Sequence, residues 1–148
     1  MDKKTALKPK ALLSQFLSKW DRKVRTKQRE YTNGMWLLKP GFAPKQIKDK
    51  IGAGNDCAHL DSKTAWDCVN WKKLEIINNI VGYTITCIDS ISYIFYLKGD
   101  RKIGIQKKYY DYLKRHIPML ILKASEPESP VVIYSGNKIA GLVAPINL

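Results

Sequence analysis

Four short apolar runs in the latter half of the chain, Ile76–Tyr83, Ile91–Leu97, Ile117–Leu122 and Val131–Tyr134, decide what it can fold into. They are strand-length and rich in Ile, Val and Tyr, which suits pleated, half-buried surfaces. Together they bury enough apolar area to offset the entropy of ordering the chain, so a folded domain is expected rather than a disordered one. None approaches 18 residues, so no membrane-spanning helix is expected. At 148 residues the chain suffices for one core and is short for two. A single domain over residues 1–148 is expected, with residues 1–8 flexible and 49–63 a loop.

The pattern implies an α+β fold: two principal helices packed on a mainly antiparallel β-sheet. The first helix is expected from about Lys8 to Arg25 or beyond. Leu12, Leu13, Phe16, Leu17, Trp20 and Val24 recur at three- and four-residue spacing. Asn33-Gly34 then predicts a tight hairpin turn between β-forming residues. A short helix around Lys45–Lys50 and another capped by Asp61 or Ser62 are the next candidates. From Leu74 the chain turns to strand over Ile76–Tyr83, Thr84–Ile88 and Ser92–Leu97. A polar turn at Lys98–Arg101 and a short strand lead into a second helix over Gln106–His116. Three final strands follow, over Pro118–Lys123, Val131–Tyr134 and Ile139–Pro145, the last two joined by a turn at Ser135–Lys138.

Charge is unevenly placed. Residues 1–50 carry 14 Lys/Arg against 4 Asp/Glu, residues 51–100 carry 4 against 6, and residues 101–148 carry 8 against 3. A polarised basic surface attracts polyanions at a distance. On the first helix and just beyond it, Lys19, Arg22, Lys23, Arg25, Lys27 and Arg29 fall mostly off the apolar stripe. On the second, Lys107, Lys108, Lys114 and Arg115 lie away from Tyr109, Tyr112 and Leu113. Cations on exposed helical faces neutralise phosphates and release counterions, which gives salt-sensitive, weakly sequence-specific binding. The same residues also suit a solvated face, an anionic membrane surface or a partner's groove.

Other constellations are weaker. Cys57, His59, Asp61, Asp67 and Cys68 do not match the compact ligand pairs of a structural zinc, so no metal or other cofactor is expected. Three cysteines at irregular spacing make no disulfide framework, and a reducing, cytoplasmic compartment follows. No signal peptide is expected, because no apolar core follows the first basic residues. Gly52 and Gly54 lack the Lys-Ser/Thr of a phosphate loop. His116 is suited to the end of a helix rather than to acting as a base. No nucleophile–base arrangement stands out. Trp20, Trp36, Trp66 and Trp71 suit either packing or stacking on unpaired bases.

Two stretches resemble a known family. Tyr31-Thr32-Asn33-Gly34-Met35-Trp36-Leu37 is similar to a turn that follows a strand in the bacterial DNA polymerase sliding clamp (beta subunit) and clamp-like phage proteins. Ser129–Tyr134, the Gly136-Asn137 turn and Ile139–Ile146 resemble the closing hairpin of such clamps. Lys102–His116 is similar in kind to a clamp domain's strand entering a basic helix. The resemblance covers about a third of the chain. Asn33 and Trp36 depart from the family's usual acidic and basic residues. It implies one clamp-like domain with basic helices facing duplex DNA. Several copies would be needed to form a ring.

The expected function is that of a non-enzymatic protein bound to nucleic acid, duplex DNA first among the candidates. The alternative is a small basic protein of phage or mobile-element type that binds or inhibits a protein partner. No membrane association is expected, and an oligomer is compatible with either reading.

Overall fold

The computed structural model describes residues 24–32, 35–43, 45, 48, 61–87, 90–146 and 148. In chain order these form β1 (Val24–Arg25), β2 (Tyr31–Thr32), β3 (Trp36–Leu38), helix α1 (Lys63–Asp67), a 3-10 turn (Trp71–Lys73), β4 (Glu75–Ile76), β5 (Ile80–Cys87), β6 (Ser90–Leu97), β7 (Arg101–Gln106), helix α2 (Lys107–His116), β8 (Leu120–Ala124), β9 (Val131–Ser135) and β10 (Lys138–Val143). The fold is α+β, as the sequence pattern implies. The strands make a seven-stranded sheet in the order β1-β2-β3-β10-β9-β8-β4 and a three-stranded sheet, β5-β6-β7. All pairings are antiparallel.

Successive residues of a strand point to opposite faces, so the unbroken run Val131-Val132-Ile133 requires cover on both. It has it. On one face Leu38, Val131, Ile133 and Val143 share a core with Tyr109, Tyr110 and Leu113 of α2 and with Phe95, Ile103 and Ile105 of the small sheet. On the other face Leu37, Val132 and Leu142 pack against Ala65 and Val69 from α1 and the residues after it. Helix α2 turns Tyr109, Tyr110 and Leu113 inward because i, i+1 and i+4 fall on one side. It stops at Ile117, whose N–H donates to the Leu113 carbonyl at 2.8 Å, and Pro118 follows. Its last turn carries Lys114, Arg115 and His116, which complement the helix dipole.

Two expectations need correction. The first predicted helix does not reach Arg25 or beyond: Val24–Arg25 is strand β1, paired with β2. Residues 26–30 are a turn, closed by Thr26 N–H to the Glu30 carbonyl and Arg29 N–H to the Thr26 carbonyl, each 2.8 Å. The apolar spacing that predicts helix stops at Val24, and the buried side chain of Glu30 is held by tertiary hydrogen bonds that a helix would break. The rest of that predicted helix, including Lys19, Arg22 and Lys23, lies outside the described residues, as does most of the expected 45–50 helix and 49–63 loop.

The second correction concerns Ile76–Tyr83, which is not one strand. Glu75–Ile76 pairs with β8 in the large sheet, whereas Ile80 begins β5 in the small one. Buried Ile77 ends the first part, its N–H donating to the Leu122 carbonyl at 2.9 Å, and exposed Asn78 and Asn79 make the crossing. The run from Thr84 continues β5 rather than forming a separate strand.

Gly141 holds the centre of the large sheet together. Beside a bulge in β10, a Cβ at this position would lie 2.0 Å from the Leu37 carbonyl oxygen. Backbone on β3 cannot yield there without losing its pairing to β10. Gly141→Ala should therefore destabilise the domain by about 2–4 kcal/mol in urea unfolding. Gly82→Ala, where nothing lies within 4 Å of the added Cβ, should leave the midpoint near wild type.

Candidate nucleic-acid interface

Helix α2 presents four cations and one carboxylate. Lys107 is engaged by Asp111 one turn on, Nζ to Oδ2 at 2.6 Å, and that hydrogen bond holds its ammonium above the ordinary value. Lys108, Lys114 and Arg115 are exposed and make no ion pair among the described residues. Lys108 lies 5.2 Å from the centroid of the Tyr109 ring and Lys114 5.8 Å from that of Tyr110. These contacts steady the long side chains without neutralising them. At the C-terminal end of α2 a cleft of about 470 Å³ is lined by Asn78, Tyr110, Lys114, Arg115, His116 and Leu120, among others. His116 packs against Tyr112 at the helix end, with ring centroids 4.3 Å apart and planes tilted by 41°.

Lys27 and Arg29 sit elsewhere. The turn that carries them is fastened to α1, on the sheet face opposite α2. Gln28 accepts from the Ser62 N–H at 3.1 Å and donates to Asp61. Lys27 is 3.9 Å from the Asp61 carboxylate, which also accepts the Lys63 N–H at 2.9 Å. That backbone bond, with Gln28 next, keeps the Asp61 carboxyl below its usual pKa. Beneath the turn lies the buried carboxylate of Glu30. It accepts from Thr26 Oγ1 at 3.0 Å, from Ser62 Oγ, and from Trp66 Nε1 at 2.8 Å. Strand β1, which holds Arg25, is an outer strand of the large sheet and β4 the other. Six inter-strand spacings, roughly 29 Å, separate them. Lys27 and Arg29 thus sit with the α1 side of the large sheet, whereas α2, with Lys108, Lys114 and Arg115, packs on the other side.

A second basic cleft does not emerge from the sequence. It measures about 390 Å³ and is lined by Lys72, Lys73, Glu75, Lys98, Arg101 and Ser125, among others. These residues come from the 3-10 turn, β4, the β6–β7 turn, the start of β7 and the start of the β8–β9 loop, so no linear pattern joins them. Lys72, Lys73 and Lys98 are exposed and make no ion pair among the described residues. Arg101 is committed to structure: it donates to the Lys98 carbonyl at 2.8 Å, the Ser125 carbonyl at 3.0 Å and Glu75 at 3.4 Å. The tryptophans divide. Trp36 is buried against Tyr109 and Tyr112, whereas Trp66 and Trp71 stack with centroids 6.3 Å apart and planes 10° apart. The local signal for the second site is Trp71-Lys72-Lys73, an aromatic followed by two lysines.

Of the residues weighed for a metal, Cys57 and His59 lie outside the described residues. Asp61 is bonded to Gln28 and the Lys63 N–H, Asp67 pairs with Lys63, and burial pushes the Cys68 thiol up. Among the described residues no three His, Cys, Asp or Glu side chains group to hold a metal ion, and no helix is long and apolar enough to cross a membrane. No protein-family model, curated protein or solved structure matches the chain.

Two substitutions test the anchoring of the turn. Three donors converge on Glu30, so Glu30→Gln sets an amide N–H₂ against a donor and should cost about 1–3 kcal/mol in urea unfolding. Arg29 has φ +67°, a left-handed conformation at the end of the β1–β2 turn that suits glycine. Arg29→Gly should raise stability by up to about 1 kcal/mol in the same measurement.

Proposed function

We propose that this is a non-enzymatic, nucleic-acid-associated protein that holds the phosphate backbone with exposed cations. The observation that carries the reading is the set of exposed cations around the core that make no ion pair among the described residues. Lys108, Lys114 and Arg115 lie on α2, and Lys72, Lys73 and Lys98 border the second cleft, in a chain of formal net charge +13. Lysines and arginines that have no carboxylate to satisfy remain available to phosphate oxygens. Lys27 and Arg29 would add contacts only to a ligand that also reaches the β1–β2 edge. Binding through such groups is backbone-directed and weakly sequence-specific. Duplex DNA is the reference ligand, and a cytoplasmic location accords with that role. The clamp resemblance belongs to the same proposal. It is supported by the succession of β7 into basic α2 and by the closing β9–β10 hairpin.

One observation favours a second reading, a protein-binding role. Strand β5 is an outer strand of the small sheet, and its Val81, Tyr83 and Ile85 are exposed, Tyr83 by 70 %. An uncharged outer strand edge accepts another strand more readily than it accepts phosphate.

Anisotropy titrations of labelled duplex DNA between about 50 and 200 mM salt test the first reading. Affinity should fall steeply with salt, and Lys114→Ala with Arg115→Ala should reduce the log–log slope by about 0.9 for each phosphate no longer neutralised. No binding at low salt, or binding indifferent to salt, overturns it. Capture of a stoichiometric protein from nuclease-treated lysate, abolished by Tyr83→Lys, would favour the second.

A further inference from the structure

The two basic clefts lie at opposite ends of one short ladder. β4 and β8 pair through Glu75 with Ala124 and Ile76 with Lys123, and Ile77 bonds to Leu122 beyond them. Asn78 and Leu120, at one end, line the cleft below α2. Glu75 and Ser125, at the other, line the cleft of Lys72, Lys73 and Lys98. Asn78 and Glu75 are three residues apart, about 10 Å of extended chain. That separation is a few nucleotides of a single strand. A ligand that follows this outer edge passes from Lys114 and Arg115 to Lys72, Lys73 and Lys98.

Trp71 directly precedes Lys72 and Lys73 of the second cleft in the 3-10 turn and does not itself line the cleft. It is 43 % exposed although its ring is stacked on Trp66, so part of the indole is open to solvent. Its position is fixed from below: Trp66 is held by its N–H to Glu30, and Lys39 Nζ lies 5.2 Å from the Trp66 ring centroid. An exposed aromatic ring held in a set plane, followed in the chain by Lys72 and Lys73, which make no ion pair among the described residues, matches what an unpaired base and its flanking phosphates require. The bases of a duplex are already stacked on one another and have no face to offer.

We infer that the β4–β8 edge is a track for an unpaired nucleic-acid strand, with Trp71 stacking on one base and Lys72, Lys73 and Lys98 contacting phosphates. The inference rests on the nucleic-acid reading above and narrows it to a strand with at least one free base. Two carboxylates also line this cleft: Glu75 is occupied by Arg101 and the Lys98 N–H, whereas Glu126 is exposed, accepts from Ser129 Oγ at 3.5 Å and opposes a phosphate on its side of the cleft.

The test is anisotropy of the full chain with a labelled oligothymidylate of about a dozen nucleotides, and with a duplex of the same length, at one low salt concentration. Trp71→Ala should weaken single-strand binding roughly 5- to 100-fold and leave duplex binding unchanged. Trp71→Phe should restore most of the affinity. Should Trp71→Ala also lower the unfolding midpoint, Lys72→Ala with Lys73→Ala decides the matter. That pair should reduce the single-strand salt slope by roughly 0.7 for each lysine. Salt-sensitive binding that none of these substitutions alters would overturn the track and leave the backbone-binding reading standing. No binding of either oligonucleotide overturns both. Loss of a protein partner on Trp71→Ala, with oligonucleotide affinity intact, would assign the ring to a protein contact and overturn the track.

Discussion

Strands β3, β10 and β9 are covered on both faces, and this double burial governs where every charge can go. Leu37 and Leu38, Val131 and Val132, and Leu142 and Val143 each send neighbouring side chains into different cores. No ammonium can enter either layer without losing its hydration. The described cations are accordingly kept out of both cores, on α1 and α2, in turns and at exposed strand positions such as Lys102 and Lys138. The basic surface is thus a product of the packing. A sheet with one solvated face would have spread the same residues over its middle.

The two sheets share one apolar core with α2 and are also tied by Arg101. The planar guanidinium reaches the β6–β7 turn, the start of the β8–β9 loop and β4 at once. A lysine has no fork with which to meet three acceptors in these directions. A further link follows β10, where Ile146 pairs with Gly104 of β7 and its N–H donates to the Gly104 carbonyl at 2.9 Å. Contacts of this kind hold the basic groups of the small sheet, Lys98 among them, in register with those that follow α1.

Much of the second half of the fold was legible because its local and tertiary demands agree. The Ser135–Lys138 turn carries Gly136 at φ +63°, and the flanking apolar runs pair across it. Tyr109 and Leu113 mark the inner face of α2 by spacing alone. The start of the described chain was not legible, since the residues of β1 continue a helical spacing while the buried carboxylate of Glu30 enforces a hairpin. The break after Ile77 was also hidden. Ile76–Ile77 and Ile80–Val81 are both apolar, so the exposed Asn78-Asn79 pair between them is the one local sign that they belong to different sheets, paired with β8 and β6. The basic positions of α2 could be read directly. The cleft of Lys72, Lys73 and Lys98 could not, because it is assembled from segments as far apart in the chain as Lys72 and Ser125.

Glu30 shows how a local exception can shape a distant surface. A carboxylate at 4 % exposure carries a large desolvation penalty unless donors surround it. Here Thr26, Ser62 and Trp66 supply them, and no cation pairs with it among the described residues. Satisfying Glu30 therefore requires the Trp66 N–H to point inward, which sets the plane of that indole. Trp71 stacks on the plane so defined, 10° from parallel. The orientation of the exposed ring thus follows from a buried charge in a different part of the chain. An aromatic surface positioned in this way needs little ordering when it meets a flat ligand, so more of the contact energy is retained as affinity.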